Sequence, residues 1–187
     1  MPALKVTRLA IPDVLLIEAP RFGDARGFFS ETYNAKAAAE AGISLTFVQD
    51  NHSLSATVGT VRGLHYQSPP FAQDKLVRVT RGRILDVAVD IRKSSPSFGQ
   101  HVSAEISAAQ WNQIFVPAGF AHGFVTLEPD TEVVYKVTQY YAPAHDHGVL
   151  WSDPALGINW PVAAGAATLS DKDGKHPPLA SAAPLFP

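Results

Sequence analysis

The chain has 187 residues, 46% of them hydrophobic and 17% charged, with 15 basic against 17 acidic residues and a net charge of −2. That predicts one domain over residues 1–187 with a packed core, excludes wholesale disorder, and argues against a nucleic-acid binder living on phosphate contacts. No apolar run approaches the roughly 20 residues that span a bilayer, and zero cysteines exclude a disulfide scaffold, a zinc–thiolate site, a thiol nucleophile and an iron–sulfur cluster. The start MPALKVTRLA lacks the apolar segment of a signal peptide, so the expectation is a soluble, cytoplasmic protein with no membrane or nucleic-acid partner.

Fifteen prolines and 13 glycines cut the chain into short stretches. Residues 14–19 read as a strand, and residues 34–41 (NAKAAAEA) as the one convincing helix, opened by the capping type Asn34 and closed by Gly42. Residues 45–51, 75–80, 83–91, 101–107, 113–116, 121–127 and 132–140 follow as strands. In 83–91 (RILDVAVDI), Leu85, Val87, Val89 and Ile91 share one face and Asp86 and Asp90 the other, which predicts a core side and a polar side. Residues 108–112 add at most a single turn. From Pro161 the strand pattern is lost, and irregular coil with a turn at 170–174 is expected. Eight or more short strands point to an all-β antiparallel sandwich or barrel, and no glycine-rich phosphate loop is present.

Three segments are dense in polar groups: GTVRGLHYQ at 59–67, FVPAGFAHGF at 115–124 and EVVYKVTQYY at 132–141. Each has an ordinary structural reading when taken alone. Gly59-x5-His65-x-Gln67 followed by Pro117-x-Gly119-x2-His122 nevertheless traces the spacing of the two cupin motifs, which belong to a jelly-roll barrel. Metal-binding cupins carry a second histidine where this chain has Gln67, and a glutamate soon after; here none lies between residues 66 and 104. Two imidazoles are too few for a catalytic metal site, which takes about three protein ligands. No metal is expected.

A buried neutral imidazole such as His65 can act as a general base when a carboxylate fixes its tautomer. Spacing does not choose among the carboxylates, although Asp171 and Asp173 in the turn SDKDG are attractive. Lys75, opening the apolar stretch KLVRV, could stabilise an oxyanion. Tyr135 and Tyr141 share parity, but a straight strand sets them roughly 20 Å apart, so only a bent one lets both serve a compact ligand. Arg26 and Arg62, each followed by glycine, suit phosphate oxygens, and with Gln49 and Asn51 they sketch a cleft for an anionic ligand.

The ordered set of segments resembles the dTDP-4-dehydrorhamnose 3,5-epimerases, the RmlC-like cupin family. The matching residues are Phe22-x-Asp24-x-Arg26-Gly27-x-Phe29-x-Glu31, Gln49-x-Asn51, GTVRGLHYQ, QDKLVRV at 73–79, DVAVDIRKSSPSFG at 86–99, VPAGFAHGF at 116–124, VVYKVTQYYAP at 133–143, WSDP at 151–154 and SDKD at 170–173. The resemblance covers residues 5 to 175. It implies a cupin jelly roll working as a homodimer, without metal or organic cofactor, in the making of L-rhamnose for polysaccharides. It further implies His65 as base paired with Asp173, Lys75 at the sugar's carbonyl oxygen and Tyr135 as acid on the opposite side. Gln49, Asn51, Arg62, His122, Tyr141 and Lys172 would line the dTDP-sugar cleft, with Arg26 and Glu31 reaching it from the partner subunit's swapped edge. Relatives that epimerise only C3 or only C5 share most of these residues; retention of Tyr135 and Tyr141 favours the double epimerase.

Overall fold

The computed structural model describes residues 3–187. Its strands are β1 (Lys5–Arg8), β2 (Leu15–Glu18), β3 (Phe22–Asp24), β4 (Gly27–Phe29), β5 (Gln49–Ser55), β6 (Val61–Gln67) and β7 (Lys75–Arg81). They continue with β8 (Arg83–Asp90), β9 (His101–Ser107), β10 (Asn112–Val116), β11 (Phe120–Thr126), β12 (Thr131–Val137) and β13 (Asp146–Gly148). One short helix, α1 (Ala35–Glu40), stands between β4 and β5. Six strands form one sheet in the order β1-β2-β10-β7-β12-β5, five form a second in the order β13-β6-β11-β8-β9, and β3-β4 is a separate hairpin. Every pairing between these strands is antiparallel. Sheets facing each other across one apolar interior, with neighbours mostly non-consecutive in sequence, make a cupin jelly roll. Among the described residues, no helix is long and apolar enough to cross a membrane.

The interior is closed by Val77, Val79, Ile114 and Val133 from one sheet and Ile84, Ala88, Ile106, Phe120 and Phe124 from the other. The five-stranded sheet is buried on its outer face as well. There Leu64, Tyr66, Val87, Val89 and Ile91 pack under Leu156, Leu179 and Ala182 of the C-terminal segment. Residues 83–91 do divide into an apolar and a polar side, but the expected core side is corrected: it is not the one that faces the barrel interior. The apolar row lies under the tail, while Asp86 and Asp90 lie on the interior face and are fully buried. A buried carboxylate needs close partners to be tolerable. Asp86 has the His122 ring at 2.8 and 2.9 Å, and Asp90 accepts from Arg92, Ser95 and Ser97.

The helix forms where expected because Asn34 accepts hydrogen bonds from the amides of Lys36 and Ala37 at 3.0 and 3.1 Å. The strand expected at 45–51 instead begins at Gln49 and runs to Ser55. Its interior-facing residues Gln49, Asn51, Ser53 and Ser55 are all polar, so the alternation carries no hydrophobic signal. Residues 108–111 form turns, and the tail from Pro161 is irregular apart from short 3-10 turns, one over Asp173–Lys175.

If the tail is a true structural layer, Leu179→Ala should cost about 2–5 kcal/mol in urea denaturation, as for any Leu→Ala core change. A loss below about 0.5 kcal/mol would mean that the tail is only loosely laid on the sheet.

Candidate active site

The site lies inside the jelly roll, and strand register decides which side chains reach it. Directly opposed residues of an antiparallel pair point to the same face. Tyr135 opposes Val77 on one side and Asn51 on the other, while Val137 opposes Lys75 and Gln49. Because Val77 and Val133 are interior, Tyr135, Lys75, Asn51 and Gln49 point inward with them. On the facing sheet His65 opposes His122 and Arg62 opposes Phe124. Three steps along β6 thus match two along β11, a bulge at Gly63 and Leu64 that turns both Arg62 and His65 inward despite their opposite parity. Glycine is required there: Gly63 has φ +137°, and a Cβ on it would lie 2.5 Å from the Gly123 Cα.

The result is a cavity of about 300 Å³ lined by Gln49, Asn51, Arg62, His65, Lys75 and Tyr135, closed at its rim by Tyr141, Lys172 and Asp173. His65 Nε2 is 2.5 Å from Asp173 Oδ1. Asp173 is buried at the start of the 3-10 turn, its amide donating to Ser170 Oγ at 3.2 Å. The Lys75 ammonium donates to the His65 carbonyl at 3.4 Å. Arg62 donates to Ser55 Oγ and the Leu54 carbonyl, both at 3.1 Å, and Gln49 Nε2 donates to Asn51 Oδ1 at 2.9 Å. At the rim Tyr141 donates its hydroxyl hydrogen to Asp146 Oδ2 at 3.0 Å, and Lys172 forms an ion pair with the same oxygen.

Burial sets the charge states. It pushes the His65 imidazole below its usual value, Asp173 opposes this, and Lys75 and His176 add to the depression, which leaves a neutral ring at neutral pH. Burial lowers Lys75 to about 8 against the pull of Asp86 and Asp146. Burial raises the Tyr135 phenol, so it keeps its proton. For Asp173 burial alone would raise the carboxyl, but the His176 and His65 rings and Ser170 hold it well below the usual carboxylate range. The cleft therefore offers a neutral imidazole backed by a carboxylate, an ammonium and a protonated phenol, the groups needed to move a carbon-bound proton and hold an oxyanion.

His65, Asp173, Lys75, Tyr135, Gln49, Asn51, Arg62, Tyr141 and Lys172 meet in this one cavity. Three expected residues do not. Arg26 sits beside the tip of the exposed β3-β4 hairpin, bonded to Asp24. Glu31 lies in a different depression with Phe22 and Lys36. His122 faces inward but is held on buried Asp86 and does not line the cavity wall. Of the two turn acids, Asp173 faces His65 and Asp171 is exposed. Tyr141 reaches the cavity because β12 ends at Val137 and the chain turns, which answers the 20 Å objection. Sequence reasoning missed Gln67, Gln73, Asp146 and Ser170 as lining residues. The two glutamines and Ser170 stood inside motifs already noted, whereas Asp146 opens the three-residue strand β13 and carries no spacing signal.

The family model described as dTDP-4-dehydrorhamnose 3,5-epimerase matches residues 8–181. A protein of that name from Sinorhizobium fredii is 54% identical over 171 residues, 91% of this chain and 87% of the relative. The crystal structure of a Bacillus anthracis dTDP-4-dehydrorhamnose 3,5-epimerase with TDP and PPi bound is 51% identical and superposes with a TM-score of 0.91, covering 94% of this chain and 99% of that one. A Legionella pneumophila dTDP-6-deoxy-D-glucose-3,5-epimerase in complex with dTDP-4-keto-L-rhamnose is 42% identical with a TM-score of 0.91, covering 95% and 94%. The chain, an isomerase by this kinship, belongs to the dTDP-4-dehydrorhamnose 3,5-epimerase family.

Proposed function

We propose that this cleft epimerises C3 and C5 of dTDP-4-dehydro-6-deoxy-D-glucose to give dTDP-4-dehydro-L-rhamnose, with His65 as base and Tyr135 as acid. The observation that carries the reading is the convergence of the His65–Asp173 pair, the Lys75 ammonium and the Tyr135 phenol on one cavity of about 300 Å³, the lower end of the usual range for ligand pockets.

A ketone at C4 makes the hydrogens on C3 and C5 acidic, because removing either leaves an enolate with its charge on the C4 oxygen. Asp173 accepts from His65 Nε2–H, which leaves Nδ1 as the basic nitrogen. That nitrogen takes the proton, the C–H electron pair becomes the enolate C=C bond, and the carbonyl pair moves onto oxygen. Lys75 balances that negative charge, and in a low-dielectric interior the attraction is far stronger than in water. Asp173 steadies the imidazolium that forms. Tyr135 then delivers its proton to the opposite face of the same carbon, the enolate returns to a ketone, and the centre is inverted. The imidazolium and phenolate re-equilibrate with solvent before the second centre reacts.

Arg62, Lys172, Tyr141, Gln49 and Asn51 are proposed to hold the nucleotide sugar, the cations facing its pyrophosphate. The site is completed in a homodimer, with the partner's Arg26 and the partner's Glu31 reaching in. Its support is the β3-β4 hairpin, which pairs with neither sheet and leaves Phe22, Phe28 and Phe29 43%, 56% and 64% exposed, a grouping that usually marks an interface. The reaction is placed in the cytoplasm, since a pyrophosphate-bearing substrate does not cross a bilayer unaided.

In D2O the sugar should gain deuterium at both C3 and C5, read by loss of the two ring-proton signals in NMR. Asp173→Asn should slow that exchange about 10²–10⁴-fold with the circular dichroism unchanged; undiminished exchange would remove the dyad from the mechanism. Lys75→Met should cost about 10²–10³-fold in kcat. Because the ammonium is the working form, kcat/KM should fall as pH rises through about 8, and below neutrality it should fall again as His65 takes up its proton at a value under its usual 6.5. A profile flat from pH 7 to 9.5 would exclude Lys75 as the oxyanion partner. Arg26→Ala, exposed in a lone protomer, should weaken dTDP binding at least about tenfold by calorimetry. Unchanged affinity would refute the shared site.

A further inference from the structure

His176 takes no part in the proton transfers derived above, yet it is packed directly behind the His65–Asp173 pair. Its side chain is 9% exposed, and its Nε2 is buried without a hydrogen-bond partner, 3.7 Å from Asp173 Oδ1. Its ring meets that of His65 edge to face with centroids 5.6 Å apart. The ring fits only because residue 148 is glycine: a Cβ there would lie 2.4 Å from His176 Nε2. Buried polar atoms nearly always find a partner, so an orphaned imidazole nitrogen aimed at a carboxylate marks a place for a further ligand.

Among the described residues, one group of three or more side chains has the donor types and closeness to hold a metal ion. It is His65, Asp173 and His176, whose donor atoms all lie within 4.8 Å of one another. We propose that these three residues form an inhibitory site for a divalent ion of the zinc class, which disables the base by taking the place of the proton between His65 and Asp173. Two imidazole nitrogens and a carboxylate oxygen are a standard zinc donor set, with the fourth position left for water. Tetrahedral bonds of about 2.0–2.2 Å set donors about 3.3 Å apart. The 3.7 Å between His176 and Asp173 is close to that, and the 2.5 Å contact of His65 opens by less than an ångström once the shared proton leaves. Lys75 and Lys172 line the same cavity and repel a cation, while Asp146 is paired with Lys172 and offsets part of that charge. Affinity therefore rests on direct ligation, and losing any one ligand should be felt strongly.

The two histidines of the cupin motifs are not the pair in this group. The second imidazole and the carboxylate both come from residues 173–176, outside the barrel strands. The proton that the ion displaces from His65 Nε2 moves to Nδ1, so both ring nitrogens are occupied, one by metal and one by hydrogen, and no lone pair is left for a carbon-bound proton. The loss of activity rests on the epimerase reading; the binding does not.

The test titrates zinc chloride into the full chain, stripped of metal with EDTA and desalted, and follows heat, the visible spectrum of a cobalt(II) substitute, and deuterium exchange into the sugar. The expected result is one zinc per chain, exchange lost in proportion to zinc bound and restored by EDTA. His176→Ala and the bulkier His176→Gln should bind zinc at least about tenfold more weakly, and the metal-free exchange each retains should no longer respond to zinc at the concentration that silences the natural chain. No stoichiometric uptake by the natural chain would overturn the site, as would bound zinc that leaves exchange untouched. Equal uptake by the folded variants would also overturn it and place the ion elsewhere, for instance on His145 and His147, which share Ser68 Oγ. Zinc taken up through His176 by a chain that shows no metal-free exchange would count against the epimerase reading and leave the site standing.

Discussion

Holding a lysine as an ammonium inside a β-barrel is the constraint on which the rest of the site depends. Burial brings Lys75 down to about 8 from 10.5, which corresponds to a cost on the order of 3 kcal/mol at neutral pH. That cost is present in full while folded and unfolded chains are both protonated, and it is relieved as pH rises from about 8 towards 10.5. One or two fully buried aliphatic side chains, at about 1.5–3 kcal/mol each, are enough to offset it. Val77 and Val79 on the same strand face are both buried in the interior cluster. The desolvation that makes the ammonium expensive also makes its attraction for an enolate oxygen large.

Two carboxylates pull against that cost, wholly buried Asp86 and half-buried Asp146. Asp86 faces the interior from the sheet opposite Lys75 and is held by His122. Asp90 shows how far such a group can be stabilised: burial raises it, yet Arg92, Ser95 and Ser97 outweigh burial and hold it at about 2. His122 thus belongs to the support beneath the cavity, in spite of its place in a motif that suggests a ligand-facing role. Its partner, Asp86, falls on the polar side of its strand because it alternates with four apolar residues, and that side proves to be the barrel interior.

Alternation in a strand says which residues share a face, and nothing about what covers that face. Residues 83–91 alternate cleanly, but both faces are buried, one by the opposing sheet and one by the C-terminal tail. The reverse holds for Gln49–Ser55, where a polar interior row hid the strand because it lines a cleft and not a core. The helix was legible since its cap, its alanines and its closing glycine act within a few residues of one another. Tyr141 could be placed only once β12 was seen to stop at Val137.

By itself the sequence determined the class of fold, the helix and the kinds of group available for chemistry, because periodicity, capping and side-chain identity are local properties. The ordered motifs also carried the family likeness and most of the cavity wall. Spacing left the carboxylate on His65 open and the likeness named Asp173; only the tertiary structure showed the two in contact, 108 residues apart, with a bulge at Gly63 that turns Arg62 and His65 to one side and His176 orphaned beside them. The reason is physical: these are contacts between segments brought together by sheet register and by a tail folded over the barrel, and no local pattern encodes a distance between residues so far apart along the chain.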